Sequence, residues 1–248
     1  MLNDQPHRIS RMEFSVLTYN VHSCIGTDRR LDIKRVVEVI AACDPDVIAL
    51  QELDVGRART QTIDQAEAIA EHLRMKSHFH PALHLEEEQY GDAIMTAHPS
   101  ELVRAGPLPS IGEPRGALWV EVRFGDSRLN VLNTHFGLRR RERLAQTMEL
   151  LGPDWLGNQR CRDNPTVFVG DLNALPGSRE LQRLKEVLVA QTGSRRSLAT
   201  FPSLYPLLRL DHVMHSGALE LLSLEVITAP PARRASDHLP IFARFNLN

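Results

Sequence analysis

The chain has 248 residues, room for one large domain or two small ones, and its 42% hydrophobic content is ordinary for a protein with a real core. A formal net charge of -2 argues against a non-specific duplex binder, which needs a basic excess to neutralise phosphates. Three cysteines without metal-type spacing exclude a disulfide framework, and the absence of any signal-like or membrane-length apolar run completes the expectation of a cytoplasmic protein.

Residues 1–12 are polar and charged and read as a flexible terminus. Residues 13–248 hold no low-complexity linker and no fixed-period repeat, so one domain is expected. Residues 13–20 read as a strand. Asp32 caps a helix whose apolar positions Ile33, Val36, Val37, Ile40 and Ala41 have amphipathic spacing, and Asp44-Pro45 ends it. Val47–Leu50 is a short buried strand leading into Glu52, and a second helix is expected over 63–74. From residue 90 the pattern changes to short strands over 93–97, 117–124 and 129–134, the last two joined by a Gly125-Asp126 hairpin turn. A helix follows over 141–152, preceded by Arg139-Arg140-Arg141, which reads equally as a solvated helix start or a local basic spot. Residues 166–169 form another buried strand, and Ser178 caps a helix to about Val189. Residues 191–209 look like a long loop with Pro202 and Pro206. Strands over 212–215, 219–228 and 241–246 complete the chain. Helices and strands do not alternate strictly, so the simplest arrangement is two face-to-face sheets with helices outside.

Six polar clusters punctuate this pattern, most of them after an apolar run: Thr18-Tyr19-Asn20-Val21-His22, Leu50-Gln51-Glu52-Leu53-Asp54, Asn133-Thr134-His135, Gly170-Asp171-Leu172-Asn173, Arg209-Leu210-Asp211-His212 and Ser236-Asp237-His238-Leu239-Pro240. They carry Asn, Glu, Asp and His, the side chains that bind a hard divalent cation and activate water. Taken singly, most read as strand-end or turn residues. Glu52 follows a buried strand and needs a partner or a metal. Asn20 offers an oxygen for a metal or an amide for orientation. Asp171 and Asn173, two apart in extended geometry, face one way unless they form an Asx turn. His135 and His238 suit proton work, and Asp211 is placed to fix a tautomer. Cys24 is expected near the site without acting in it. His72, His78, His80, His84 and His98 stand outside any cluster and read as surface or packing residues.

These six clusters, in this order, resemble the endonuclease/exonuclease/phosphatase superfamily, which includes exonuclease-III-type nucleases, pancreatic-type deoxyribonucleases, neutral sphingomyelinases and inositol-polyphosphate 5-phosphatases. The resemblance spans about residues 13–245 and implies a four-layer α/β sandwich, two mostly antiparallel or mixed sheets flanked by helices. It implies metal ligation of Mg2+ or Mn2+ by Asn20, Glu52 and Asp237. It further implies that His238 is catalytic with Asp211 orienting it, that Asp171 positions or deprotonates the attacking water, and that Asn173 and His135 contact phosphate. Arg115 in Glu113-Pro114-Arg115-Gly116 resembles a phosphate-binding arginine. Tyr90-Gly91-Asp92-Ala93-Ile94 resembles a further family segment in which Asn is common at the position of Asp92.

The expected activity is metal-assisted hydrolysis of a phosphate ester, most readily a phosphodiester of DNA or RNA, with no obligate protein partner. A sphingomyelinase-like lipid substrate, a small phosphoester and a catalytically silent binding scaffold are the alternatives. Leu204-Tyr205-Pro206-Leu207-Leu208 is a candidate membrane-facing segment, but is read here as a core-packing loop.

Overall fold

The structure is a computed structural model and describes residues 12–85, 88–190 and 198–247. The first sheet holds β1 (Met12–Asn20), β2 (Val47–Val55), β3 (Lys76–Leu85), β4 (Glu88–Thr96), β11 (Leu219–Val226) and β12 (Ile241–Leu247), in the order β11-β12-β1-β2-β4-β3. The second holds β5 (Ser100–Leu108), β6 (Arg115–Phe124), β7 (Ser127–His135), β8 (Thr166–Asp171), β9 (Val189–Ala190) and β10 (Asp211–His215), in the order β5-β6-β7-β8-β10-β9. Each sheet has one parallel pair near its middle, β1 with β2 and β7 with β8. The flanking pairs are antiparallel.

Three apolar clusters define four layers. Val36, Val37 and Ile40 of α1 (Ile33–Ala41), Ile69 of α2 (Gln65–Leu73) and Ala232 of α6 (Pro230–Ala235) pack on the first sheet. Trp155, Cys161 of α4 (Gln159–Asp163), Leu150 of α3 (Arg140–Leu150) and Leu181 of α5 (Arg179–Leu184) pack on the second. Between the sheets lie Phe14, Val16, Val120, Val131, Val169 and Phe245 among others. This is the sandwich that the resemblance implies. Among the described residues no helix is long and apolar enough to cross a membrane.

Local signals were read well where hydrophobic periodicity was strong. The expected caps Asp32 and Ser178 each accept a backbone N–H of their helix's first turn, and so does Asp64, which the expected span had placed inside its helix. The helix expected over 63–74 narrows to α2, and that from Ser178 stops at Leu184, giving way to β9. Strands β3 and β5 escaped the sequence reading. Both lie at sheet edges, where one side is solvated and alternation is weak. The expected flexible terminus lies outside the described residues except for Met12, which begins β1, and so does the 191–197 part of the expected loop.

Candidate active site

Strand alternation decides which polar groups meet. In β1, Leu17 and Tyr19 join the helix-side core while Phe14 and Val16 join the inter-sheet core. Asn20 follows the second set. In β7 and β8, Val131, Val167 and Val169 face the inter-sheet core, whereas Leu132 and Phe168 face the helices. Asn133, His135 and Asp171 therefore point between the sheets. In β10 Asp211 shares the face of Val213. The parallel pairs end at Asn20 and at the paired His135 and Asp171, so the carboxyl ends of both deliver polar side chains to one end of the interlayer space. Gly170 makes the β7–β8 approach possible: its φ is 145°, and a Cβ there would run into the Thr134 carbonyl.

Glu52 breaks the alternation. Ile48 and Leu50 pack on the helix side, and strict period two would bury Glu52 there as well. Instead the register against β4 shifts between Leu50 and Leu53, Glu52 adopts φ 62°, and Leu53 takes the helix-side position. A bulge that turns a side chain toward a site is a recurrent use of such irregularity. Asn133 crosses from the other sheet to hold it. Its Nδ2 donates to the carbonyls of Leu50 and Ala93, each at 2.9 Å, and its Oδ1 accepts from Gln51 Nε2 at 2.7 Å. The buried Asp92 carboxylate accepts the Glu52 N–H. Burial raises the Asp92 pKa to about 8, while Arg115 and that N–H pull the other way.

The result is an open pocket of about 470 Å³ walled by Glu52, Arg115, His135, Asp171, Asn173, Asp237 and His238. Asn20 and Asp211, fully buried, stand immediately behind them. All nine residues expected in the site are thus brought together, with two changes of arrangement. Asn20 does not aim its oxygen at the pocket: Oδ1 accepts the His22 N–H at 3.0 Å, while Nδ2 donates to Glu52 Oε1 at 2.9 Å and Asp171 Oδ2 at 3.1 Å. In this arrangement its amide nitrogen bridges the two carboxylates and its oxygen is engaged by the main chain. Asp171 and Asn173 share the site through a turn, not through extended geometry. Asn173 has φ 46°, and its N–H donates to Asp171 Oδ1 at 2.9 Å.

The charges are strongly coupled. His238 Nδ1 lies 2.8 Å from Asp211 Oδ2 and Nε2 lies 3.6 Å from Asp171 Oδ2. Burial disfavours the imidazolium, but Asp211 and then Asp171 outweigh it and raise its pKa to about 10. Burial, reinforced by Asp211, raises the Asp171 pKa even though His238 and the hydrogen bonds from Asn173 and Asn20 oppose the rise. His135 is pushed the other way, to about 3, by burial and by Arg115. Arg115 Nη1 sits 3.0 Å from His135 Nδ1. Asn173 Nδ2 sits 3.1 Å from His135 Nε2, which also lies 3.5 Å from Asp171 Oδ2, so both ring nitrogens face a donor and the ring is hemmed in by positive and N–H groups. Burial alone would raise Glu52, but hydrogen bonds from His22 and Asn20 and the nearby His135 hold its pKa well below the usual carboxylate range.

Among the pocket residues without a role in the sequence reading are His22, Arg59 and Tyr90. His22 Nδ1 lies 3.4 Å from Glu52 Oε2 and 3.6 Å from Asp237 Oδ1. It opens a run of three left-handed residues, His22, Ser23 and Cys24, a costly backbone that marks functional sites. Its signal was present, two positions after Asn20. Arg59 makes two hydrogen bonds to Asp54, at 2.7 and 2.8 Å, and one to Ser23 Oγ at 2.9 Å. It also stacks over Tyr90. Both line the pocket; neither stood in one of the six clusters, although Tyr90 opens the 90–94 segment. Cys24 is fully buried and does not line it, and burial raises its thiol pKa far above neutrality.

Among the described residues one group of metal-type donors is tightly gathered, and a second set is more loosely spaced. Asp171, Asp211 and His238 bring ligand atoms within 4.8 Å of one another, but all three are buried and already hydrogen-bonded among themselves and their neighbours. Glu52, Asp237 and His22 are more open, with side chains 19%, 37% and 48% exposed. Two carboxylates and an imidazole nitrogen fit a divalent cation.

A family model described as the Endonuclease/Exonuclease/phosphatase family matches residues 17–238. The Escherichia coli K12 protein YbhP, itself uncharacterized, is 26% identical over 98% of this chain and all of its own length. An endonuclease/exonuclease/phosphatase from Beutenbergia cavernae superposes with a TM-score of 0.75 at 21% identity, covering 96% of this chain and 72% of that one. A mannosyl-6-phosphatase from Bacteroides thetaiotaomicron gives 0.73 at 18%, covering 94% and 99%. The chain belongs to the endonuclease/exonuclease/phosphatase family, whose members are phosphoric ester hydrolases.

Proposed function

We propose that this protein is a metal-dependent phosphodiesterase that hydrolyses its substrate by direct attack of water. The observation that carries the reading is the convergence of Glu52, Asp237 and His22 on one pocket wall with Asp171, His238, His135 and Arg115 around the same space. Glu52 and Asp237, with His22, would hold Mg2+ or Mn2+, and Asn20 would keep Glu52 aimed. When bound, the cation supplies positive charge to a phosphoryl oxygen and to the leaving oxygen.

The remaining steps belong to the side chains. Asp171, a buried carboxylate of raised proton affinity, orients the water and accepts its proton. The water oxygen bonds to phosphorus, the opposite P–O ester bond breaks, and the departing oxygen takes a proton from solvent. His238, kept charged by Asp211, donates from Nε2 to the phosphoryl oxygens as negative charge builds there. Arg115 and Asn173 hold the phosphate, the former through a guanidinium fork. His135, neutral, completes the polar wall. No side chain forms a covalent intermediate.

Nucleic acid is the substrate the sequence favours, and phospholipid the reading that the exposed apolar loops around the pocket favour. A cytoplasmic location accords with three free cysteines. The test is a Mn2+- and Mg2+-dependent screen across DNA, RNA, phospholipid vesicles and bis(p-nitrophenyl) phosphate. Metal-dependent hydrolysis of at least one diester supports the reading, and none with any of them refutes it.

A further inference from the structure

The segment Leu204–Leu208, expected to pack in the core, is on the surface. Tyr205 and Leu207 are each 78% exposed, and Leu204 and Leu208 are also exposed. They are not isolated. Of the twelve large hydrophobic side chains exposed among the described residues, seven belong to four loops. Each of these loops begins or ends at site residues. Ile111 lies between β5 and β6, just before Arg115. Leu138, 73% exposed, follows His135. Leu175 follows Asn173. The 204–208 group precedes Asp211. The other five are scattered over strands, helices and their ends. Concentration of apolar tips around one polar pocket is not what chance exposure gives.

The main chain beneath these tips is fixed. Leu207 and Leu208 N–H groups donate to the Phe201 carbonyl at 2.9 and 2.8 Å. Ser203 N–H donates to the Asp237 carbonyl at 2.7 Å, and Arg233 Nη1 donates to the carbonyls of Ser203 and Leu204, each at 3.0 Å. The loop is tied to Asp237 of the site while its side chains point to solvent.

Charge selects the occupant. Exposed Arg139, Arg140 and Arg141 follow Leu138 directly. On the four loops the sole acid is Glu113, which is paired with Arg115 at 2.8 Å. The whole chain carries -2, so this basic rim is local. Leucine and isoleucine tips beside arginines suit acyl chains beneath anionic headgroups. A nucleic-acid strand would instead want aromatic stacking platforms along a basic track, and Tyr205 is the one exposed aromatic on these loops. We propose that the four loops dock the pocket mouth on an anionic phospholipid surface, so that the diester entering the pocket is that of a lipid headgroup. The substrate part of this proposal rests on the phosphodiesterase reading of the site; the docking part does not.

The experiment is sedimentation of the full chain with vesicles of phosphatidylcholine alone or mixed with phosphatidylglycerol, alongside binding to single-stranded DNA. Wild type should bind the mixed vesicles, and added salt should weaken this binding without abolishing it. Tyr205→Ser with Leu207→Ser should lower vesicle affinity by about tenfold for each side chain withdrawn from the bilayer. Arg139→Gln, Arg140→Gln and Arg141→Gln together should lower it on the mixed vesicles by about fivefold for each charge, with little change on phosphatidylcholine. None of these positions belongs to the catalytic machinery, so melting temperature and hydrolysis of bis(p-nitrophenyl) phosphate should stay as in wild type. Failure of wild type to bind vesicles, or full binding by the serine variant, overturns the proposal. Tight DNA binding without vesicle binding overturns it in favour of nucleic acid. Loss of diester hydrolysis in wild type would instead strike the reading of the site, leaving vesicle docking to stand or fall by sedimentation.

Discussion

Replacing Asn133 with Leu tests how the fold aims Glu52. Asn133 is fully buried and is not a pocket residue. The change keeps its approximate shape and removes its donors to the Leu50 and Ala93 carbonyls, both at 2.9 Å. It also removes one of the three acceptors of Gln51 Nε2, which keeps Thr18 Oγ1 and the Ala49 carbonyl. Losing two buried hydrogen bonds, each worth about 0.5–1.5 kcal/mol, therefore predicts a loss of about 1–3 kcal/mol, a sizeable part of the roughly 5–15 kcal/mol that stabilises a typical domain. The loss falls on the bulge, so Glu52 should lose its left-handed geometry before the sheets separate. Urea unfolding gives the stability, and metal-dependent hydrolysis of bis(p-nitrophenyl) phosphate, measured where the variant is still folded, gives the site. The expected outcome is a lowered midpoint together with a fall in turnover at full foldedness. A loss below about 1 kcal/mol, or unchanged turnover, would refute the idea that this clamp positions the carboxylate.

Asp211→Asn leaves a hydrogen-bonding group beside His238 but removes its charge; turnover should fall by about 10²–10⁴-fold, with KM for a soluble diester little changed. His22→Ala should weaken Mn2+ binding, read by calorimetry on the folded protein, by about tenfold or more; unchanged affinity would remove His22 from the metal group. His212 is fully buried, and burial followed by Arg209 pushes its pKa down to about 4 while its Nε2–H donates to the Ala174 carbonyl at 2.8 Å. The unfolded chain, with an ordinary histidine near 6.5, binds the extra proton between those values, so stability is lost as pH falls from 6.5 toward 4, by up to about 3 kcal/mol. In His212→Gln that part of the pH dependence should vanish, which urea unfolding across this range would show.

Much of the site was legible because its chemistry sits at strand ends in fixed clusters. Alternation along β1, β7, β8 and β10 sends Asn20, His135, Asp171 and Asp211 to one side, a consequence of period two that needs no coordinates. Glu52 was picked by its carboxylate after an apolar run, yet its aim depends on a bulge held by Asn133 and Asp92. Those contacts join residues more than 35 positions apart, and no local pattern encodes them. Arg59 likewise stood in no cluster, because its place at the site depends on reaching Ser23 and Tyr90 as well as the nearby Asp54. The 204–208 segment was misread because apolar residues usually mean burial, and exposure of Tyr205 and Leu207 is a property of where the loop lands. The sequence placed Asn20 at a strand end among polar groups, but the engagement of its oxygen by the His22 amide depends on the turn after β1, which no local pattern shows.

The most direct measurement is the rate of bis(p-nitrophenyl) phosphate hydrolysis with Mn2+ or Mg2+, with chelator, and by Glu52→Gln. Hydrolysis that appears with the metal, disappears with chelator and falls at least about a hundredfold in the folded Glu52→Gln variant is the predicted result. Turnover that survives chelation, or a variant as fast as wild type, would contradict a metal-dependent site built on Glu52.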